Sequence, residues 1–292
     1  MKGGKLARLM SPARVLSLIV SDIVADPMDM IASGPTVITE PQENFRSPLD
    51  ILDLYNLTDK IPQHVRAVLA ATPDQGCGAK PDILNILIGT NDIPLQHARR
   101  LTSAHCHSLL LTRSLTGEAR EVGRHFASLV KSICCQDGQC LDESVEKLKV
   151  DQDVMNNINE KWQAGRPLVL LAGGETTVKV VGNGVGGRNQ ELVLSFAIEI
   201  SPDQRRIREW GYRVEFLSCG TDGIDGPTDS AGAVWSSDLS LDRQLASRAL
   251  EDNDSHRFWR QNHPDCLVVT GHTGTNVADI IICKIQRNDD SE

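Results

Sequence analysis

Aromatic residues are scarce: Phe, Trp and Tyr together supply only 11 of the 292 positions. Positive charge is in the minority as well, with 30 Lys and Arg against 39 Asp and Glu, for a net charge of −9. A chain short of both stacking rings and basic surface is not built to bind nucleic acid. Its overall field does not attract an anion either, so an anionic ligand needs a local site. No apolar run reaches the ~18 residues of a membrane-spanning helix. None of the eight cysteines forms a C-x-x-C pair, which argues against a zinc ribbon. The Walker A pattern, the protein-kinase motif set and internal repeats are all missing. A ribose-binding acid at the end of the next expected strand, Val214–Ser218, which a strand–G-x-G-x-x-G–helix unit needs to hold a dinucleotide, is missing as well.

What remains is ordinary for a globular chain: 40 % apolar and 24 % charged residues. The length suggests about two domains. Unpatterned cysteines in a chain of this size point to a reducing, intracellular setting. Cys219 and Cys266 sit in apolar runs as small hydrophobes, while Cys134, Cys135 and Cys140 lie close enough for a redox or metal cluster. Lys2, Lys5, Arg8 and Arg14 precede the first acid, Asp22, as in a targeting peptide. However, the apolar stretch Val15–Val20 has strand length and runs into an acidic loop without a cleavage signal. The compartment expected is the cytoplasm, with the mitochondrion as the alternative.

Apolar runs and helical periods alternate, which predicts an α/β fold with mostly parallel sheets. Strands are expected at Arg14–Val20, Ile83–Ile88, Ser108–Thr112, Pro167–Ala172, Thr177–Val181, Val214–Ser218, Cys266–Thr270 and Ala278–Ile285. Helices are expected at Leu49–Leu57, Val65–Ala71, Ile93–Ala104, Glu118–Ile133, Val154–Gln163, Asn189–Ile200 and Asp238–Leu250. Thr72–Pro81 reads as a surface loop. Two α/β units follow: 1–140, a connection at 141–165, and 166–287.

Five loops follow apolar strands and concentrate Gly with Asp, Glu, Thr or Asn, and in open α/β sheets ligands bind at the carboxyl ends of strands. They are Ser21–Thr36, Gly173–Glu175, Gly182–Glu191, Gly220–Asp229 and Thr270–Asn276. Glycines let backbone N–H groups approach an anion. The third loop also opens a helix, whose N-terminus favours a phosphate or carboxylate, with Arg188 placed to clamp it. Asp222 and Asp225 are hard oxygen ligands suited to Mg²⁺. The same Asp-rich segment also reads as a solvated Asx turn, and it lacks the spacing of a calcium loop. His272 reads as a structural hydrogen-bonder. From chemistry alone the chain is an α/β protein with an anion-binding and metal-capable cleft.

These loops resemble a known family. Ser21-Asp22…Asp26-Pro27…Ile31-Ala32-Ser33-Gly34-Pro35-Thr36 resembles the S-D-V-x-G-D-P…I-A-S-G-P-T signature of class II glycerate kinases. Leu171–Val178 and Gly186–Glu191 resemble the start of their C-terminal MOFRL domain; Gly220–Thr228 and Thr273–Asn276 resemble its later motifs. The resemblance runs from Lys2 to about Lys284. It implies transfer of the γ-phosphoryl group of ATP to D-glycerate, at the 2-hydroxyl, with a divalent metal. It implies an incomplete Rossmann-like first domain and a MOFRL-type second one.

The site set expected from residues and resemblance together has Lys2, Arg188 and Asp222 as catalytic groups. Asp22, Asp26, Ser33, Gly34, Thr36, Gly173, Gly174, Glu175, Gly187, Asn189, Thr273 and Asn276 are expected to contact substrate or nucleotide. Asp222 and Asp225 are expected to hold Mg²⁺. There are departures: Lys5 and Ala25 stand where the family pattern has glycine, and the resemblance implies an N-terminal segment with a G-G-G-S-A type loop ahead of the part matched from Lys2, so that a shorter isoform, an incomplete gene model or a fragment is expected. The expectation is a shortened chain of low activity that self-associates. The alternatives are a ligand-binding or subunit-association module and a hydroxypyruvate reductase-like enzyme.

Overall fold

The computed structural model describes residues 2–38, 47–71, 82–135, 141–150 and 165–287, together with residues 153, 154, 156 and 158. The chain divides into two compact units, Met1–Ile19 with Met28–Ile86, and Val20–Pro27 with Leu87–Glu292. The division falls upstream of the connection at 141–165, because the elements between residues 87 and 135 pack into the second unit's sheet and core.

The first unit holds α1 (Lys5–Met10), α2 (Pro48–Leu54) and α3 (Gln63–Ala70), with all of β1 (Arg14–Val20) but Val20 and all of β2 (Asp82–Gly89) but its last three residues. β1 and β2 pair as a two-stranded sheet. Ser47 and Asp50 start α2 reciprocally: Asp50 N–H donates to Ser47 Oγ, and Ser47 N–H to Asp50 Oδ2. Within this unit Ala7, Val15 and Ile31 are buried, whereas Leu9, Leu16, Leu18, Leu54, Val68 and Leu84 are exposed.

The second unit is larger. Its helices are α4 (Asp92–Thr102), α5 (Ala119–Cys135), α6 (Leu141–Lys147), α7 (Arg188–Ile200), α8 (Gln204–Glu209), α9 (Arg243–Glu251) and α10 (Ser255–Asn262). Its strands are β3 (His107–Leu115), β4 (Leu168–Gly174), β5 (Tyr212–Gly220), β6 (Gly232–Ser236), β7 (Leu267–Val268) and β8 (Asp279–Arg287). They form one sheet in the order β3-β4-β8-β5-β6-β7. The α/β class holds, but the mostly parallel pairing does not hold in this sheet. β3–β4 is parallel, whereas β4–β8, β8–β5, β5–β6 and β6–β7 are antiparallel. The reason is connectivity: β5 reaches β6 through a loop with no crossover helix, and β8 enters from the loop at the carboxyl ends of β4 and β5.

α5 and α7 cover one face, where Gly123 lets them meet closely: a Cβ there would lie 2.5 Å from Leu192 O. Phe196 stacks on Phe216 with ring centroids 3.9 Å apart, and Phe126 and Trp235 close around them. On the other face Leu95 of α4 packs with Val169 and Leu171. This two-sided cover explains why all seven residues of β4 are buried.

Several expectations change. Thr177–Val181 alternates like a strand but is a loop, with a lone bridge from Thr177 to Glu118 and with Val180 and Val181 exposed. The helix expected from Asp238 starts at Arg243, where Asp242 Oδ1 accepts Leu245 N–H. Cys266–Thr270 contracts to Leu267–Val268, and β6 and α10 are additions. The Thr72–Pro81 loop and Cys140 lie outside the described residues, as does most of Val154–Gln163. Cys134 is buried, and burial followed by the neighbouring Cys135 pushes its thiol up to about 12, an inert setting.

Candidate active site

Arg188 is the first residue of α7, and Asp279 the first of β8. Asp279 lies in register with Gly174, the last residue of β4, and with Gly220, the last of β5. Arg188 Nε donates to Asp279 Oδ2 at 2.6 Å, and Nη2 to Oδ1 at 2.9 Å. Nη1 lies 3.1 Å from Oε1 of Glu175, which directly follows β4. A guanidinium carries five N–H groups, so the side-on pair leaves those of Nη1 and one on Nη2. Burial opposes the Arg188 charge, but the hydrogen bond and charge of Asp279, with Glu175 and Asp225 nearby, hold its pKa above the ordinary arginine value. Burial raises the Asp279 carboxyl, and Arg188 works against that rise.

The helix N-terminus expected to receive an anion already has one. Asp225 Oδ1 accepts Asn189 N–H at 3.0 Å and Asn189 Nδ2 at 3.3 Å. Its Oδ2 accepts Gln190 N–H at 2.9 Å and Gln190 Nε2 at 3.0 Å. The carboxylate is 2 % exposed, and burial raises its pKa to about 6 despite these donors. Asn189 is also buried, and its Oδ1 accepts Ser218 Oγ. Gly187 makes room for Asp225 rather than for a ligand, since a Cβ there would overlap the carboxylate.

The glycine loop is similarly consumed from within. Val181 and Gly182 N–H donate to Asn253 Oδ1, Asn183 N–H to Asp252 Oδ1, and Val185 N–H to Asp254 Oδ1. Gly184 N–H donates to Asp252 O. The turn between α9 and α10 therefore takes the amides that a phosphate cradle would need.

The remaining second-unit residues gather beyond β4 and β5. Asp222 is half-buried, and its Oδ1 accepts Ile224 N–H at 3.0 Å. Thr273 donates its N–H to Asp222 O and its hydroxyl to Thr221 O, tying the two loops together. Asn276 Nδ2 reaches Asp22 Oδ2 at 3.5 Å. Asp22, Asp26 and Gly174 line a cavity of about 250 Å³. Its wall also has Arg113, paired to Asp92 at 3.2 Å, and Asn91. Gly173 faces Asn91, whose side chain a Cβ would overlap. In the first unit, Gly3 N–H donates to Ser33 O and Gly4 N–H to Gly34 O, which brings the exposed Lys2 segment beside Ser33 and Gly34. The Thr36 hydroxyl is spent on Asn85 Oδ1 at 2.8 Å.

Residues 168–279 match the MOFRL family, and residues 1–70 match the family described as "Domain of unknown function (DUF4147)". The glycerate kinase of Danio rerio is 38 % identical, over 96 % of this chain and 60 % of its own length. That of Macaca fascicularis is 36 % identical, over 96 % of this chain and 74 % of its own length. The chain belongs to the glycerate kinase family. A third relative, the D-glycerate 2-kinase of Thermotoga maritima, is 34 % identical over 96 % of this chain and 59 % of its own. The crystal structure of a glycerate kinase from the same organism superposes with a TM-score of 0.70 at 32 % identity, covering 97 % of this chain and 59 % of that one. The chain thus spans about 60 % of the length of several relatives it matches.

Within this glycerate kinase family member, Ala25 has φ 69° and the adjoining Asp26 φ 53°. The backbone at Ala25 is left-handed, the conformation that glycine in the family signature adopts without strain. For Mg²⁺, the described residues include no group of three or more His, Cys, Asp or Glu side chains placed to hold a metal. Mg²⁺ is commonly held by one or two carboxylates together with substrate phosphates. Asp222 fits that use. Asp225 does not, because both its oxygens are filled by four internal donors. The residue that sequence reading missed is Asp279. Its signal was an acid at the head of the apolar run Ile280-Ile281-Ile282, where a buried charge requires a cation. Among the described residues no helix is long and apolar enough to cross a membrane.

Proposed function

We propose that this chain transfers the γ-phosphoryl group of ATP to the 2-hydroxyl of D-glycerate, giving 2-phosphoglycerate. The observation that carries this reading is the fixed guanidinium of Arg188 at the carboxyl ends of β4 and β5. The names of the relatives, including D-glycerate 2-kinase, support the choice of acceptor. The new bond joins the glycerate oxygen to the γ-phosphorus, and the bond from that phosphorus to the β-bridging oxygen breaks. Such a reaction asks the protein mainly for positioning and charge stabilisation. Arg188 offers its remaining N–H groups to phosphoryl oxygens. Asp222 accepts the hydroxyl proton or helps hold the metal, and Glu175 and Asn276 orient the acceptor. Lys2 and the Ser33 hydroxyl form a second phosphate-directed pair within the first unit, whereas Gly34 has no donor left, its N–H being given to Ile31 O at 2.9 Å. Mg²⁺ would enter on the nucleotide, at Asp222, and supply neutralising charge. Free cysteines support a reducing, cytoplasmic setting, and the exposed apolar side chains of the first unit support self-association. The test is the purified chain with ATP, Mg²⁺ and D-glycerate in a coupled ADP assay. ADP formation that requires D-glycerate is expected. A folded chain that binds ATP but forms no ADP with D-glycerate overturns the proposal.

A further inference from the structure

The Arg188–Asp279 pair is more than the fold requires at that place. The start of α7 is already secured by the four hydrogen bonds of Asp225. Asn91 Nδ2 separately fixes the start of β8, donating to Val277 O at 2.7 Å and to Asp279 O at 3.0 Å. A buried ion pair is poor evidence for stability, since desolvating two charges offsets much of their attraction. Yet the Asp279 carboxylate is 2 % exposed and meets Arg188 side-on through both oxygens. That geometry fixes the plane of the guanidinium as well as its position. The strand neighbours of Asp279 are both glycines, Gly174 and Gly220, so neither places a side chain over the pair.

We propose that Asp279 is a positioning residue for phosphoryl transfer, holding the Arg188 guanidinium so that Nη1 and the outer N–H of Nη2 meet the transferring group already aligned. This rests on the kinase reading above. Alignment in advance matters because a reacting group misplaced by ~1 Å can cost about 10²-fold in rate. The Asp279 charge also tempers the cation toward bound ATP, so the benefit falls on turnover more than on affinity.

The experiment uses the whole chain and the variants Asp279→Asn, Asp279→Glu, Arg188→Ala and the double variant Arg188→Ala/Asp279→Asn. Calorimetric titration with ATP counts competent sites, so partial unfolding is not mistaken for slow turnover. Asp279→Asn is expected to lower kcat per ATP site by about 10²-fold, with KM for ATP held within about threefold. Asp279→Glu restores at least ~10-fold of that loss, and the double variant is no slower than Arg188→Ala, as for residues acting as a unit. Unchanged kcat per site in Asp279→Asn, or losses that multiply in the double variant, overturns the proposal. A wild-type chain that binds ATP but never phosphorylates glycerate overturns the kinase reading alone. The Arg188 Nε–H resonance then decides by NMR. A shift on adding ATP that is abolished by Asp279→Asn keeps Asp279 as the residue presenting Arg188 to phosphate, and a resonance that ATP leaves unmoved removes that role. A folded chain that binds no ATP overturns both.

Discussion

Gln190 meets Asp225 twice, donating its backbone N–H at 2.9 Å and its side-chain Nε2 at 3.0 Å to the same carboxylate oxygen, Oδ2. An acid 35 residues further along the chain thus occupies the start of α7. Burial raises its pKa from 3.8 to about 6. The folded state therefore keeps the proton when the unfolded state has lost it. Stability attributable to Asp225 is full below pH 3.8, declines as pH rises to about 6, and is flat above that. A difference of roughly two pKa units corresponds to about 3 kcal/mol. Urea unfolding across that range is expected to show this decline in the wild type and to lose it in Asp225→Asn. An identical pH slope in the two proteins would refute the assignment.

Ala25 carries a left-handed backbone at φ 69°. For a residue with a Cβ that conformation costs about 1–2 kcal/mol, while glycine's extra freedom when unfolded returns roughly 0.5–1 kcal/mol of that. Ala25→Gly is therefore expected to stabilise the chain by about 0.5–1 kcal/mol, the reverse of the usual effect of adding glycine. Ala25→Val, being β-branched, moves the other way. Thermal unfolding of the three proteins measures both, and a Tm for Ala25→Gly below wild type would show that the strain is relieved elsewhere.

Asn253 holds the glycine loop closed. It accepts Val181 and Gly182 N–H, donates to Glu191 Oε2 and Lys179 O, and is 5 % exposed with φ 54°. Asn253→Ala removes all four bonds and leaves a Cβ in left-handed backbone. A loss of about 2–4 kcal/mol is expected. Asn253→Gly removes the same bonds without the backbone strain, so it isolates the bonding share. In both variants the amides of Val181 and Gly182 are expected to exchange faster with solvent. Unchanged exchange would mean that the loop is held by other contacts.

Apolar stretches made β1, β2, β3, β4, β5 and β8 legible to within a few residues, with β1 at its expected bounds, whereas the alternation at Thr177–Val181 belongs to a loop and β6 gave no such signal. The direction of β8 was not legible, because an apolar run carries no sign of which way its partner points. Arg188 stood out through its place after two glycines, whereas its partner Asp279 lies 91 residues away. The glycine loop misled for a definite reason. Its composition is that of a phosphate cradle, and composition does not reveal that Asp252, Asn253 and Asp254, some seventy residues later, have already claimed its amides. The acids in 222–225 separated in the same way, one half-exposed and one sealed under α7.

That separation sets the last prediction. Asp222 Oδ1 accepts Ile224 N–H, and an asparagine in its place still accepts that bond through its own Oδ1. Asp222→Asn therefore keeps the turn and its shape while removing only the negative charge. A hard dication needs that charge, and a carboxamide holds Mg²⁺ far less well. Under the kinase reading, turnover at limiting Mg²⁺ is expected to fall by at least ~10²-fold, with far-UV circular dichroism and urea midpoint unchanged. Asp225→Asn shows the opposite split: its effect falls on stability and its pH profile, with no change in the Mg²⁺ concentration needed for half-maximal rate. Full activity of Asp222→Asn at limiting Mg²⁺ would make 221–229 a structural turn. A shifted Mg²⁺ requirement in Asp225→Asn would show that the sealed carboxylate opens during turnover.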